Sequence, residues 1–109
     1  MTFCYNSVVE NEVVSEKSNR KVLAYSEEMM LVEMCFEAGG SGPEHKHPHR
    51  QITYIVEGAF EFTVGAEKKT VCAGDSILMQ ADVAHSLFCL EKGKLIDVFV
   101  PYREDFLKK

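Results

Sequence analysis

Short apolar and alternating runs, separated by turn residues, follow one another along most of the chain. The clearest are KVLAYS, MMLVEMCFEA, QITYIVEG, AFEFTVG, KKTVCAG, DSILMQ, HSLFCL and KLIDVFV. Strand-length runs at this spacing are typical of an all-β sandwich or barrel, so we predict seven or eight strands. Only the C-terminal PYREDFLKK has a helical pattern. It predicts one short amphipathic turn, with Pro101 suited to its start.

Glycines mark the predicted turns. Gly58 interrupts ITYIVEGAFEFTVG, in which apolar and polar residues alternate, and this pattern predicts a hairpin with its bend at Gly58. Gly74 with Asp75 predicts a second turn, and Gly93, between two lysines, predicts a third.

Length and net charge exclude several classes of protein. A chain of 109 residues, 46% of them hydrophobic, predicts a single domain over residues 1–109. A net charge of -5 and the lack of a basic run argue against binding to nucleic acid or anionic lipid. The sequence shows neither a signal peptide nor an apolar run near the roughly 20 residues that a membrane span requires. We therefore expect a cytoplasmic protein with small solutes or proteins as partners.

The four cysteines are widely spaced and form no CxxC pair, which argues against a zinc knuckle or a redox motif. We expect reduced, mostly buried thiols rather than a disulfide framework.

Three of the four histidines fall within five positions of PEHKHPHRQITYIVEG: His45, His47 and His49. In an extended chain the side chains at positions i and i+2 share a face, so His45 and His47 can point at one place. Pro48 follows and bends the chain, so alternation does not place Gln51. A metal site and an exposed loop with incidental histidines are both compatible with this stretch taken alone.

These residues match two motifs of the cupins, small jelly-roll β-barrels, and the chain resembles that family over about residues 30–100. The first motif, G-x5-H-x-H-x3-E-x6-G, is matched by Gly39, His45, His47, Gln51 and Gly58, with glutamine in place of glutamate. The second motif is matched by Gly74 and His85, with Gln80, Asp82 and Cys89 in place of its proline, glycine and asparagine.

The cupin resemblance implies a jelly-roll β-barrel and a metal site formed by His45, His47, Gln51 and His85. It leaves His49 either beside the ligands or on the surface. Imidazole nitrogens suit transition metals; we expect nickel or zinc, with iron or manganese as alternatives. A neutral amide in place of a carboxylate leaves the charge of the cation less neutralised, which favours hydrolytic, isomerising or tautomerising chemistry.

The segment KLIDVFVPYREDFLKK carries a second signal. Alternation places Asp97 and Phe99 on one face of a strand, and a carboxylate in an apolar strand is costly without a partner or a polar cavity. Arg103 follows closely. It is suited either to pair with Asp97 or to hold the carboxylate of a substrate.

Taken together, H-x-H-P-H-x-Q, then G-D, then D-x-F-x-P-x-R-E-D-F resemble the pectin-degradation cupins of the KdgF family, over nearly the whole chain. The resemblance implies conversion of 4,5-unsaturated monouronates, released from pectin or alginate, to the linear keto form. It also implies that Asp97 moves a proton, Arg103 fixes the uronate carboxylate and Phe99 lines the sugar. Arg50 and Tyr102 depart from the pattern, and Arg50 changes the charge beside Gln51.

Two other functions remain open: a non-catalytic cupin that senses or stores a small acid, and an iron-dependent dioxygenase. A carboxylate facing an anionic ligand weakens binding by repulsion, so Asp97 favours an enzyme over a binding module. We also expect a homodimer, because the run before residue 30 can supply an exposed edge strand.

Overall fold

Eight antiparallel strands and two short 3-10 helices make up the described part of the chain, residues 2–108 of a computed structural model. The strands are β1 (Glu12–Ser15), β2 (Ser18–Tyr25), β3 (Met30–Phe36), β4 (Ser41–His45), β5 (Arg50–Val64), β6 (Glu67–Cys72), β7 (Ser76–Met79) and β8 (His85–Val100). The 3-10 helices span Asn6–Val8 and Glu104–Leu107. The predicted all-β fold is confirmed. The count of eight also agrees with the prediction, but β5 and β8 each join two of the predicted runs, and β1 and β4 were not predicted.

Two long strands, β5 and β8, form the centre of the sheet and pair with each other along their length. The other edge of β8 pairs first with β4 and then with β3, while the other edge of β5 pairs with β7 and then with β6. β2 and β1 extend the sheet beyond β3. Because each long strand changes partner along its length, the sheet rolls up into the predicted jelly-roll β-barrel.

The predicted hairpin at Gly58 is wrong. Gly58 lies inside β5 with φ of +84°, where the pairing with β8 shifts register, and an added Cβ would lie 2.4 Å from the carbonyl oxygen of Lys92. Gly93, also predicted as a turn, lies inside β8, and a Cβ there would lie 2.3 Å from the oxygen of Glu57. Both glycines therefore lie at a β-bulge, where the backbones of two paired strands approach too closely for a side chain.

The turns lie elsewhere. β5 turns into β6 at Gly65, which has φ of +58°. The predicted turn at Gly74 and Asp75 is confirmed: Gly74 has φ of +95°, and Asp75 accepts a bond from the backbone N–H of Cys72 at 2.8 Å.

Two buried clusters form the core. The first lies where β5 pairs with β8 on one side and with β6 on the other, and its buried members are Phe36, Ile55, Phe60, Phe62, Cys89 and Leu95. The second contains Met30, Val32 and Phe99, with Phe106 and Leu107 packed against it. These last two residues dock the C-terminal 3-10 helix onto the barrel. The predicted helical turn is thus present, but it begins at Glu104 rather than at Pro101.

All four cysteines are free, as expected. The expectation that most are buried is wrong: Cys89 is buried, Cys4 and Cys35 are intermediate, and Cys72 is exposed. Within residues 2–108, no helix has the length and apolar character needed to cross a membrane.

Candidate metal centre and active site

The strand register places Asp97 inside the barrel. Asp97 of β8 lies opposite Val32 of β3 on one side and opposite Thr53 of β5 on the other. Directly opposed residues of antiparallel strands project to the same face, so one apolar and one polar neighbour flank the carboxyl group. The next row pairs Gln51 with Phe99. Asp97 is 5% exposed and Phe99 is 2% exposed, in agreement with the predicted shared inward face.

Three histidines come together at the adjoining end of the barrel. His45, at the end of β4, lies opposite His85, at the start of β8, and their ring centroids are 4.4 Å apart. The ring of His47, in the loop after β4, lies 5.5 Å from that of His45 and 5.0 Å from that of His85. One potential ligand atom from each of the three lies within 4.8 Å of the others.

Backbone carbonyls orient two of these rings. The Nδ1–H of His45 donates to the oxygen of Pro43 at 2.8 Å, and that of His85 donates to the oxygen of Val83 at 3.0 Å. A neutral imidazole that donates through one nitrogen carries a lone pair on the other, so Nε2 is the atom that both rings have free to bind a metal. Nε2 of His85 is buried without a hydrogen-bond partner. This donor set fits a divalent transition metal.

Gln51 connects the histidines to Asp97. Its Oε1 lies 3.2 Å from Nε2 of His47, while its Nε2 donates to Oδ1 of Asp97 at 2.9 Å and to Oγ1 of Thr53 at 3.0 Å. Thr53 donates to the same carboxylate oxygen. Because an ionised carboxylate only accepts hydrogen bonds, Asp97 holds the amide NH₂ toward itself. The amide oxygen therefore faces the histidines.

Burial sets the charge states in the site. Burial first, and then the charges of Arg103 and the neighbouring histidines, lower the pKa of His47 to about 4. Burial also lowers the pKa of His85, against the bond to Val83, which raises it. Both imidazoles are thus neutral at neutral pH, as metal ligands must be. Burial raises the pKa of Asp97 to about 6, although the bonds from Thr53 and Gln51 lower it.

A cavity of about 220 Å³ opens onto this site. Its wall includes six of the seven predicted site residues: His45, Gln51, His85, Asp97, Phe99 and Arg103. The seventh, His47, lies in the same cluster. The cavity is smaller than the roughly 300–1,000 Å³ of pockets for drug-sized ligands, so it suits a small molecule.

His49 packs behind the cluster. It is half-buried, its Nε2 lies 3.0 Å from the carbonyl oxygen of Tyr102, and its ring centroid lies 5.2 Å from that of His47. Of the two positions that the sequence left open for His49, these contacts favour the one beside the histidine cluster over one on the surface.

Arg103 does not pair with Asp97. Its Nε and one Nη donate to the carboxylate of Asp105, at 3.0 and 2.9 Å. The guanidinium carbon lies 5.1 Å from the ring centroid of Phe99 and 4.2 Å from that of Phe106. Asp105 lies two residues further along, in the 3-10 helix that follows Arg103, so it reaches Arg103 more directly than the buried Asp97 does. Arg103 still lines the cavity.

Sequence reasoning missed Thr53, which bonds Asp97, and Arg20, which lines the cavity. Thr53 shares strand parity with Gln51, and that signal could have found it. No feature of the sequence around Arg20 indicated that it lines the cavity.

Residues 32–99 match the family model described as "Cupin domain". The chain belongs to the cupin family. This cupin is 37% identical over 98 residues to the pectin degradation protein KdgF of Dickeya dadantii, with 88% of this chain and 89% of that protein covered.

Solved structures agree. An RmlC-like cupin from Shewanella frigidimarina superposes with a TM-score of 0.93 at 37% identity, covering 97% of this chain and 96% of its own. KdgF from Halomonas sp. superposes with a TM-score of 0.92 at 33% identity, covering 96% and 99%. Oxalate decarboxylase of Bacillus subtilis shares the fold, with a TM-score of 0.84 at 19% identity over 31% of that chain.

Proposed function

We propose that this cupin is a metal-dependent isomerase that converts 4,5-unsaturated monouronates, released from pectin or alginate, to linear 5-keto-4-deoxyuronate. Its similarity to KdgF proteins, one of them a pectin degradation protein, supports this substrate class. The observation that carries the proposal is Asp97, a buried carboxyl group on the cavity wall with a pKa of about 6. A group with a pKa near neutrality both takes up and releases protons readily.

The reaction requires proton transfers and no oxidant. The proton of the hydroxyl on carbon 1 leaves, the bond from carbon 1 to the ring oxygen breaks, and its electron pair passes to that oxygen, which takes up a proton. The product is an aldehyde and an enol. The enol then loses its hydroxyl proton while carbon 4 gains one, which yields the ketone. We assign to Asp97 the transfer of a proton in this sequence.

His45, His47, Gln51 and His85 are the residues that would hold the metal. A bound divalent ion of this kind, nickel or zinc in our expectation, with iron or manganese as alternatives, supplies Lewis acidity toward an oxygen of the substrate. None of the four side chains carries a negative charge, so they would leave most of the charge of the ion uncompensated. Asp97 also positions one of these four residues, because its carboxylate accepts a hydrogen bond from the amide NH₂ of Gln51 and so orients the amide oxygen.

Arg103 and Phe99 complete the proposed site. Arg103 lines the cavity with its guanidinium held by Asp105, and we assign it to the uronate carboxylate. Phe99 lies 2% exposed on the same wall and forms an apolar surface for the sugar ring.

We also propose a homodimer. The edge strand β1 exposes Val13 at 81%, and the outer face of β5 and β7 exposes Ile52, Tyr54 and Leu78 at 50, 49 and 56%. Ile52 and Leu78 are paired across β5 and β7. Exposed apolar surface of this kind is typical of a protein interface, and a second copy of the chain offers the same surface. Light scattering tests the homodimer proposal. We expect wild type to be a dimer and Leu78→Glu to be a monomer, and a monomeric wild type would refute the proposal.

The test of the reaction uses purified, metal-loaded protein and unsaturated galacturonate, with loss of the conjugated double-bond absorbance as readout. Asp97→Asn should lower kcat by about 10²–10⁴-fold, the usual contribution of a general acid or base. Asp82→Asn is the matched control, because Asp82 is exposed and its φ of 61° suits asparagine. If wild type and Asp97→Asn both leave the substrate at its spontaneous rate, the isomerase is excluded. Oxygen uptake in the same cell would instead indicate the dioxygenase.

A further inference from the structure

A second arginine borders the cavity. Arg20 lies on β2, and its side chain, 20% exposed, forms part of the wall that also contains Asp97 and Arg103. Its guanidinium carbon lies 4.0 Å from the ring centroid of Phe106, and that of Arg103 lies 4.2 Å from the same centroid. One aromatic ring of the C-terminal 3-10 helix thus positions two cations at one end of the cavity.

The two arginines differ in how well they are paired. Arg103 makes two hydrogen bonds to Asp105. The ion pair of Arg20 is with Glu12, and its atoms, Nη2 and Oε2, are 3.6 Å apart, which is longer than a hydrogen bond. The Nε of Arg20 is buried without a partner. The charge of Arg20 is therefore less compensated than that of Arg103.

Among residues 2–108, four buried side-chain nitrogens or oxygens have no hydrogen-bond partner, and they belong to Arg20 and to three histidines in or beside the cluster. They are His47 Nδ1, His49 Nδ1, His85 Nε2 and Arg20 Nε. A buried donor without an acceptor is unfavourable, and a ligand that brings an acceptor to Arg20 removes that penalty. A charged acceptor gains more than a neutral one.

We propose that Arg20 binds the carboxylate of the ligand in this cavity, together with Arg103. The cations attract the acid group, and the carboxyl group of Asp97 repels it when ionised. The planar fork of a guanidinium fits a carboxylate through two parallel bonds. Only the identity of the ligand as a uronate rests on the function proposed above.

The binding test uses D-galacturonate and its methyl ester, which have no double bond to rearrange. Calorimetry on the metal-loaded full-length protein compares Arg20→Met with wild type, and Arg50→Met is the matched control because Arg50 is exposed and lies outside the cavity wall. Loss of one charge-assisted contact should weaken galacturonate binding about 10- to 100-fold. Arg20→Met should also lose the wild-type preference for the acid over the ester, while Arg50→Met should keep it.

Two further variants separate binding from folding. Glu12→Gln removes the ion pair but keeps Arg20, so it should bind galacturonate at least as tightly as wild type. Arg20→Lys keeps the charge and loses the fork, so its affinity should fall between those of wild type and Arg20→Met. If Arg20→Met keeps the preference for the acid, or wild type shows no such preference, Arg20 does not bind the carboxylate.

Steady-state kinetics test the role of Arg20 independently of the binding measurement. With unsaturated galacturonate, Arg20→Met should raise KM more than it lowers kcat. Absence of turnover in wild type would end the isomerase proposal alone, because the calorimetric comparison stands without the reaction. Unchanged KM and unchanged galacturonate affinity in Arg20→Met would end the Arg20 proposal alone.

Discussion

Replacing Asp97 by asparagine should stabilise the metal-free protein at neutral pH. Burial raises the pKa of Asp97 from its ordinary 3.8 to about 6 in the folded state. The folded protein thus holds this proton more tightly than the unfolded chain does. The contribution of Asp97 to the free energy of unfolding is therefore greatest below about pH 4 and is lost as pH rises through about 6.

The magnitude follows from the two pKa values. They differ by about two, and one pKa unit corresponds to about 1.4 kcal/mol, so ionisation of Asp97 costs the folded state about 3 kcal/mol above pH 7. Asparagine is nearly the same size and never ionises. Its amide oxygen can still accept the bonds that Gln51 and Thr53 donate to Oδ1.

Urea unfolding of chelator-treated wild type and Asp97→Asn, followed by circular dichroism from pH 4 to pH 8, measures this effect. The gain in free energy of unfolding should be near zero at pH 4 and rise toward about 3 kcal/mol by pH 7 to 8. Asp82→Asn, on the surface, should show no such rise. A variant less stable than wild type at pH 7, or a difference independent of pH, would show that ionised Asp97 does not destabilise the folded protein.

Three other predictions test separate parts of the structure. Asp105→Asn should be less stable than wild type at and above about pH 4, and this difference should shrink as the pH falls below about 4, because the bond to Arg103 lowers the pKa of Asp105; the same urea series, extended below pH 4, measures it. Gly58→Ala should lower the free energy of unfolding by about 1–3 kcal/mol more than Gly74→Ala, since both have positive φ but an added Cβ meets backbone only at Gly58; equal losses would contradict the bulge. His85→Ala should weaken zinc or nickel binding by more than about 100-fold in a calorimetric titration; unchanged affinity would remove His85 from the ligand set.

The hairpin predicted at Gly58 failed for a physical reason. A glycine between alternating runs is equally compatible with a turn and with a bulge inside one strand. The choice depends on whether a partner strand continues past it, and β8 does so, pairing on both sides of Gly58. That partner lies some thirty residues further along the chain, beyond the reach of any local pattern.

Local periodicity and spacing alone were enough to predict the all-β class and the shared inward face of Asp97 and Phe99. Side-chain direction in a strand depends only on parity. The histidine spacing predicted only that His45 and His47 can point at one place, because their position relative to one another is a local property; the family resemblance was needed to add His85.

The tertiary structure alone decided which groups meet across strands. Thr53 lies beside Asp97 through the pairing of β5 with β8, and Arg20 enters the cavity because β2 packs next to β3. These contacts follow from register and barrel closure, which the whole chain sets through its buried surface and not through the residues around each site.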